Sequence, residues 1–168
     1  MGTRSLTKVI QTYETSIANE DNNNEVHKER KPITCMYRQY DGYLDGHGAE
    51  LAEWLSGYTI VNGIPMDKSE PMFNGMDCLA AQMFVHFKSS GCKDDGTPTS
   101  NVGGIYCMHP DASDCWEEYL YEISEEDNQI YITVYEISHA EERWENKGDE
   151  LFHGTPEELL TKLELDYA

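Results

Sequence analysis

At 168 residues the chain has the length of one domain with a hydrophobic core, and its 39% apolar content is too high for general disorder. Thirty-two acids against 12 Lys/Arg give a net charge of −20, which repels nucleic acid and anionic membrane and attracts basic protein surfaces. No apolar run reaches membrane-spanning length, and the start Met1-Gly2-Thr3-Arg4-Ser5-Leu6 carries neither a secretory stretch nor the Ser/Thr of a myristoylation motif, so a soluble intracellular protein is expected.

Residues 5–14, with Leu6, Val9, Ile10 and Tyr13, predict a first strand. Residues 18–31 are polar and aperiodic, and predict a mobile loop capping a long hairpin. Residues 32–40 predict the returning strand. Gly46-His47-Gly48 breaks it, and a helix follows over residues 49–57, with Leu51, Ala52 and Leu55 inward and Glu50 and Glu53 outward. Residues 58–73, with Asn62-Gly63, Pro65 and Pro71, predict an irregular connection. Met76, Leu79, Ala80, Met83, Phe84 and Phe87 recur with helical period, so a helix covers residues 74–89, with Asn74 as its expected N-cap. The row Cys78, Gln82 and His86 reads as a helix border.

Residues 90–102 predict a second mobile loop, and residues 103–108 a short strand. Residues 116–123 and 129–138 alternate strongly and predict a hairpin. Tyr119, Tyr121 and Ile123 share one face with Ile130, Ile132 and Val134. The opposite face, carrying Glu118, Glu122 and Glu136, is expected to be half exposed. Leu151-Phe152 suggests an edge strand. Thr155, Pro156 and Glu158 form the start of a terminal helix. The order predicts a single α+β domain over residues 1–168: a mainly antiparallel sheet of four to six strands covered by about three helices.

The five cysteines are odd in number and contain no Cys-x-x-Cys, which predicts free thiols rather than a disulfide framework. Cys92, Cys107, His109 and Cys115 lack the spacing of structural zinc modules, so neither metal nor cofactor is expected. No phosphate loop, dinucleotide fingerprint or nucleophile elbow is present.

The densest chemistry lies between the second strand and the first helix. Arg38, Asp41, Tyr43 and His47 are the candidate ligand-binding residues, placed to meet an anionic, nucleotide-like molecule. Arg38 could bind such an anion or stack on a ring; an internal ion pair to one of the many acids weighs more heavily. Asp41 and His47 could form an acid–base pair, although Asp41-Gly42 also suits a tight turn for local reasons. No catalytic residue is assigned. Tyr37, Tyr40, Tyr43 and Trp54 supply aromatic area with polar tips.

Charge is unevenly spread. Residues 116–168 carry 16 acids against 3 Lys/Arg, and residues 1–115 carry 16 against 9. Glu118, Glu122, Glu125 and Glu126 are the candidate protein-interaction residues.

Residues 1–5, the stretch Tyr37-Arg38-Gln39-x-Asp41-Gly42-Tyr43-x-x-Gly46-His47-Gly48-x-Glu50-Leu51-Ala52-Glu53, the run Asn74-Gly75-Met76-Asp77-Cys78-Leu79-Ala80-Ala81-Gln82, and the pieces 103–106 and 154–160 carry a resemblance. The chain resembles a family of small uncharacterised proteins of bacteriophages and some large DNA viruses. It departs from that pattern at Leu44, where the family has Pro. The resemblance implies a viral origin, action in the host cytoplasm, and host-directed inhibition or counter-defence. The charge by itself reads equally as a device of solubility; joined to the resemblance, it suggests a non-enzymatic protein that binds and inhibits a host defence or nucleic-acid-binding protein by imitating phosphate charge. The alternative is a protein that sequesters or hydrolyses an anionic small molecule at the turn between Arg38 and His47.

Overall fold

A computed structural model gives the fold of residues 2–21, 23–63, 70–89, 94–95, 104–137 and 148–168. Six strands form one sheet: β1 (Ser5–Ala18), β2 (Asn24–Arg38), β5 (Ile105–Met108), β6 (Tyr119–Glu126), β7 (Gln129–Glu136) and β8 (Asp149–Gly154). Their spatial order is β5-β2-β1-β6-β7-β8, and β3 (Thr59–Val61) with β4 (Met72–Asn74) makes a small separate parallel pair. Within the main sheet the β1–β6 pair is parallel and the other pairs are antiparallel. Three helices, α1 (Ala49–Leu55), α2 (Gly75–Ser89) and α3 (Pro156–Asp166), complete an α+β fold.

Period-2 alternation decides which side chains meet the helices. Val9, Met36, Tyr121, Ile123, Ile130, Ile132 and Val134 project from the sheet into the main core. There they meet Leu51 and Leu55 of α1, Leu79 and Met83 of α2, and Leu159 and Leu163 of α3. The inward faces of α1 and α2 are those the sequence periodicity marks. Helix α3 starts on a capping box: Glu158 N–H donates to Thr155 Oγ1 at 3.2 Å, and Thr155 N–H donates to Glu158 Oε2 at 2.8 Å. Asn74, expected to cap α2, ends β4, and its Oδ1 accepts from Gly63 N–H at 2.9 Å.

The back face of the sheet is covered as well. Ala112 and Cys115, in the segment joining β5 to β6, pack with Tyr37, Met108 and Tyr135 against Leu6, Cys35, Leu120 and Ile137. Strand β6 is therefore buried on both faces, and Glu122 is only 5% exposed. The expectation of a half-exposed outer face on this strand is corrected: alternation looked like one wet face, but a connecting segment supplies a second roof.

A second correction concerns residues 18–31. Most of that stretch is strand rather than loop, because β2 begins at Asn24 and pairs with β1 back to Ala18. Its low hydrophobicity reflects exposure of both faces, not absence of pairing. The register shifts between Val9 and Ile10, where Pro32, which has no N–H to donate, enters the ladder. The β6–β7 connection narrows to Asp127 and Asn128, both at positive φ (51° and 67°), the two-residue geometry that matches strand twist. The expected loop over residues 90–102 lies outside the described residues except for the turn at 94–95.

Among the described residues no helix is long and apolar enough to cross a membrane. Cys35, Cys78, Cys107 and Cys115 are free thiols.

Candidate functional site

Strand β2 ends at Arg38, and the chain then turns back beneath β1 before entering α1. Gly42 N–H donates to Thr3 O at 3.0 Å, which brings this turn against the start of β1. A Cβ on Gly42 would lie 2.8 Å from the Arg4 carbonyl carbon, so only glycine fits there. Gly46 is held equally close: its Cβ would lie 2.6 Å from Asp41 O. Residues Leu44–Gly48 form one π-helical turn that runs directly into α1. The glycines of Asp45-Gly46-His47-Gly48 thus serve close packing.

The π-turn drives His47 inward, where its side chain is fully buried. Its ring meets Phe87 and Tyr121 edge-on, with centroids 5.0 and 4.9 Å away. Thr7 Oγ1 lies 2.7 Å from Nε2, and Arg38 Nη1 lies 3.0 Å from Nδ1. A guanidinium can only donate, so Nδ1 is the bare acceptor and Nε2–H donates to Thr7. Burial first, and then the neighbouring Arg38 charge, push the His47 pKa down to about 3. The imidazole is neutral in one defined tautomer.

Arg38 is engaged on every side. Nε donates to Tyr40 O at 2.7 Å. Nη1 and Nη2 form a fork on the Glu50 carboxylate, the Nη2–Oε1 arm at 3.3 Å. Its side chain is 11% exposed, while that of Glu50 is 51% exposed. Of the two roles open to Arg38 in the sequence, the geometry gives the internal ion pair.

Asp41 and His47 meet through the backbone, since His47 N–H donates to Asp41 O at 2.8 Å. Both ring nitrogens of His47 are occupied by Thr7 and Arg38, so the acid–base pair is corrected: the Asp41 carboxylate is exposed and takes the Tyr43 hydroxyl at 3.4 Å. The four candidates therefore divide. Arg38 and His47 form one polar unit, closed at the histidine and open to solvent at the arginine's partner Glu50, and Asp41 and Tyr43 lie on the surface. The unit has three further members, Thr7, Glu50, and Tyr121, whose hydroxyl donates to Gly42 O at 2.8 Å; of these, Thr7 and Tyr121 carry no signal of that role in the sequence. Glu50 alone was traceable, as a carboxylate one turn beyond His47.

A groove of about 650 Å³ opens outside this unit, lined by Arg38, Glu50, Glu53, Trp54, His86 and Phe87, with Ser89 and Ile105. Trp54 and His86 stack along it at 5.1 Å and 15°. Among the described residues that line it, two carboxylates face one guanidinium, so these groups give the groove no positive excess.

The acidic candidates are also dispersed. Glu125 is half-buried and holds the hairpin turn by accepting from Asn128 N–H at 2.7 Å; Glu126 is exposed beside it. Glu118 lies at the opposite end of β6, half-buried, and Glu122 is buried between them. Glu122 is therefore removed from the exposed interaction set.

The end of the sheet carrying Glu118 gathers further acids. Tyr119 has its pKa raised by burial first and then by Glu136 and Glu118, with Tyr167 and Asp45 also contributing. Tyr43 is raised by Asp41 first, then by desolvation and Asp45. Glu136 stands directly opposite Asp149 across β7 and β8, and opposite Tyr119 across β6 and β7.

Among the described residues no group of three or more His, Cys, Asp or Glu is arranged to hold a metal ion. No family profile, curated protein or solved structure significantly matches this chain.

Proposed function

We propose that this chain is an acidic, non-enzymatic interaction protein whose partner is a host protein with a basic surface, of the nucleic-acid-binding or defence class. The observation that carries this reading is the acidic, aromatic end of the sheet. Asp41 and Asp45 act on Tyr43, and Glu136, Glu118 and Asp45 act on Tyr119, with Asp149 opposite Glu136 and with Tyr167, 62% exposed, also acting on Tyr119. Like charges placed directly opposite each other, as in Glu136 and Asp149, cost stability in the free protein and are relieved by a cationic partner. Tyrosines supply contact area at small entropic cost, so the patch combines steering charge with anchoring surface. Viral origin and the host as the source of the partner rest on the sequence resemblance alone.

The small-anion reading has less support. Arg38, its cation, already carries Glu50, and Glu53 stands beside the groove. An anion binding there would have to displace a paired carboxylate.

The test is a partner captured from host lysate, identified, purified and studied kinetically. Its association should be fast at low salt and slow steeply as the Debye length contracts to roughly 8–10 Å near physiological ionic strength. Asp45→Asn, Glu118→Gln and Glu136→Gln together should lower the on-rate at least tenfold, and a DNA duplex should compete for the partner. An on-rate indifferent to salt and to these substitutions would defeat the proposal.

A further inference from the structure

Strands β1 and β2 run on together well past the rest of the sheet. Among the described residues, β6 pairs with β1 only along Ser5–Val9, and β5 pairs with β2 only along Cys35–Arg38. From the rung Ile10–Pro32 to the rung Ala18–Asn24 the hairpin is a two-stranded arm, about 27 Å long at the usual rise per residue. Side chains on both its faces are exposed, including Tyr13 at 47%, Ile17 at 49% and Val26 at 56%. A two-stranded ribbon alone in water is marginal, and each of its edges is a template for another strand.

The two edges differ. That of β2 carries Glu25, Lys28, Glu29, Arg30 and Lys31 and ends at Pro32, the composition that blocks edge pairing. That of β1 reads Gln11-Thr12-Tyr13-Glu14-Thr15-Ser16-Ile17-Ala18, rich in β-forming residues, with one charge and neither Gly nor Pro. Beside it, where β1 leaves β6, the fork opens into a groove of about 1080 Å³. Its lining includes Thr12, Tyr13 and Glu14 of β1, Lys28 and Arg30 of β2, and Ser124, Glu125 and Glu126 of β6.

We infer that the free edge of β1 pairs antiparallel with β1 of a second copy of this chain, joining two arms into a four-stranded ribbon. The pattern of β1 is self-complementary about Thr15. A two-fold axis there sets Thr15 opposite Thr15 of the second copy, Tyr13 opposite Ile17, and Glu14 opposite Ser16. The Tyr–Ile pair is of the aromatic and β-branched type that stabilises antiparallel sheets, and no like charges meet. Moving the axis to Glu14 would set the two carboxylates against each other. With the axis at Thr15, residues 17–19 of each arm run into the fork groove of the other copy. The arrangement is isologous and closes as a dimer.

The experiment is light scattering of the full chain over a wide concentration range, together with cysteine cross-linking. The wild-type chain should reach twice the 19.2 kDa mass of one chain. Thr15→Lys with Ile17→Lys should leave it at one mass at the same concentrations; at position 17 the new charge faces Glu25, so the hairpin itself is retained. Thr15→Cys should form an intermolecular disulfide that peptide mapping assigns to position 15 in both chains, whereas Val26→Cys on the other strand should not. Directly opposed antiparallel positions have the Cα separation a disulfide needs. A chain of single mass at every concentration, a dimer indifferent to the double substitution, or cross-linking at position 26 but not 15 would each overturn the inference. If the double variant fails to fold, the cross-link decides.

Discussion

Arg38 Nη1 lies 3.0 Å from His47 Nδ1, and this contact requires a neutral imidazole. The arginine joins a buried histidine to an exposed glutamate, so one side chain ties β2, the π-turn and α1 together. A residue chosen from the sequence as a ligand-binding candidate thus has a structural duty.

Arg38→Ala leaves Nδ1 of His47 buried without a donor. A loss of about 2 kcal/mol is expected, the scale of one charged hydrogen bond plus an unsatisfied acceptor. Little of this comes from the ion pair, because Glu50 is half exposed and screened. Arg38→Lys should recover only part, since an ammonium cannot reproduce the three-way fork. Urea unfolding at pH 7 measures both; an unchanged midpoint for Arg38→Ala would return the arginine to the ligand-binding reading.

Stability should fall in acid through His47. Its pKa is about 3 in the folded chain against an ordinary value of 6.5, so between these values the unfolded state binds a proton that the native state refuses. The contribution of the neutral histidine is complete above pH 6.5. It is lost as pH falls, at up to about 1.4 kcal/mol per pH unit, until the folded pKa is reached. Unfolding midpoints at pH 7, 6 and 5 test the slope, and the ring resonances of His47 should show no protonation at pH 5.

Leu79 is fully buried in the second turn of α2. Leu79→Ala should cost about 2–5 kcal/mol, the transfer term plus the cavity left behind. A loss below about 1 kcal/mol would mean that this face of α2 does not pack on the sheet.

Ser5 contributes a buried hydroxyl with no hydrogen-bond partner among the described residues. Removing the oxygen abolishes its desolvation cost, so Ser5→Ala should be neutral or stabilising by about 1 kcal/mol. Thermal unfolding of the variant distinguishes this from a clear loss, which would reveal an acceptor or donor for the hydroxyl.

Much of the fold is set by local pattern. The stripe Met76, Leu79, Ala80, Met83 and Phe87 has one periodicity, and only a helix puts it on one face. Tyr121 and Ile123, with Ile132 and Val134, alternate, and only a strand does the same for them. Thr155, Pro156 and Glu158 define a helix start whose partners lie within one turn, so three residues suffice to read it. These features depend on neighbours a few positions away in the chain.

What tertiary structure decided depends on partners far away. Residues 24–31 have no apolar periodicity because neither face is covered; they are strand because β1 lies beside them. Glu122 sits in an alternating pattern that looks half exposed, yet it is 5% exposed, and on that face Ala112 and Cys115 from the segment between β5 and β6 pack with Leu6 and Leu120. Arg38 had 32 acids to choose from, and the choice of Glu50 follows from the π-turn that sets the start of α1 beside the end of β2. Composition and periodicity report how a residue relates to its near neighbours and to water. Which distant group it meets is settled only when the whole chain has packed.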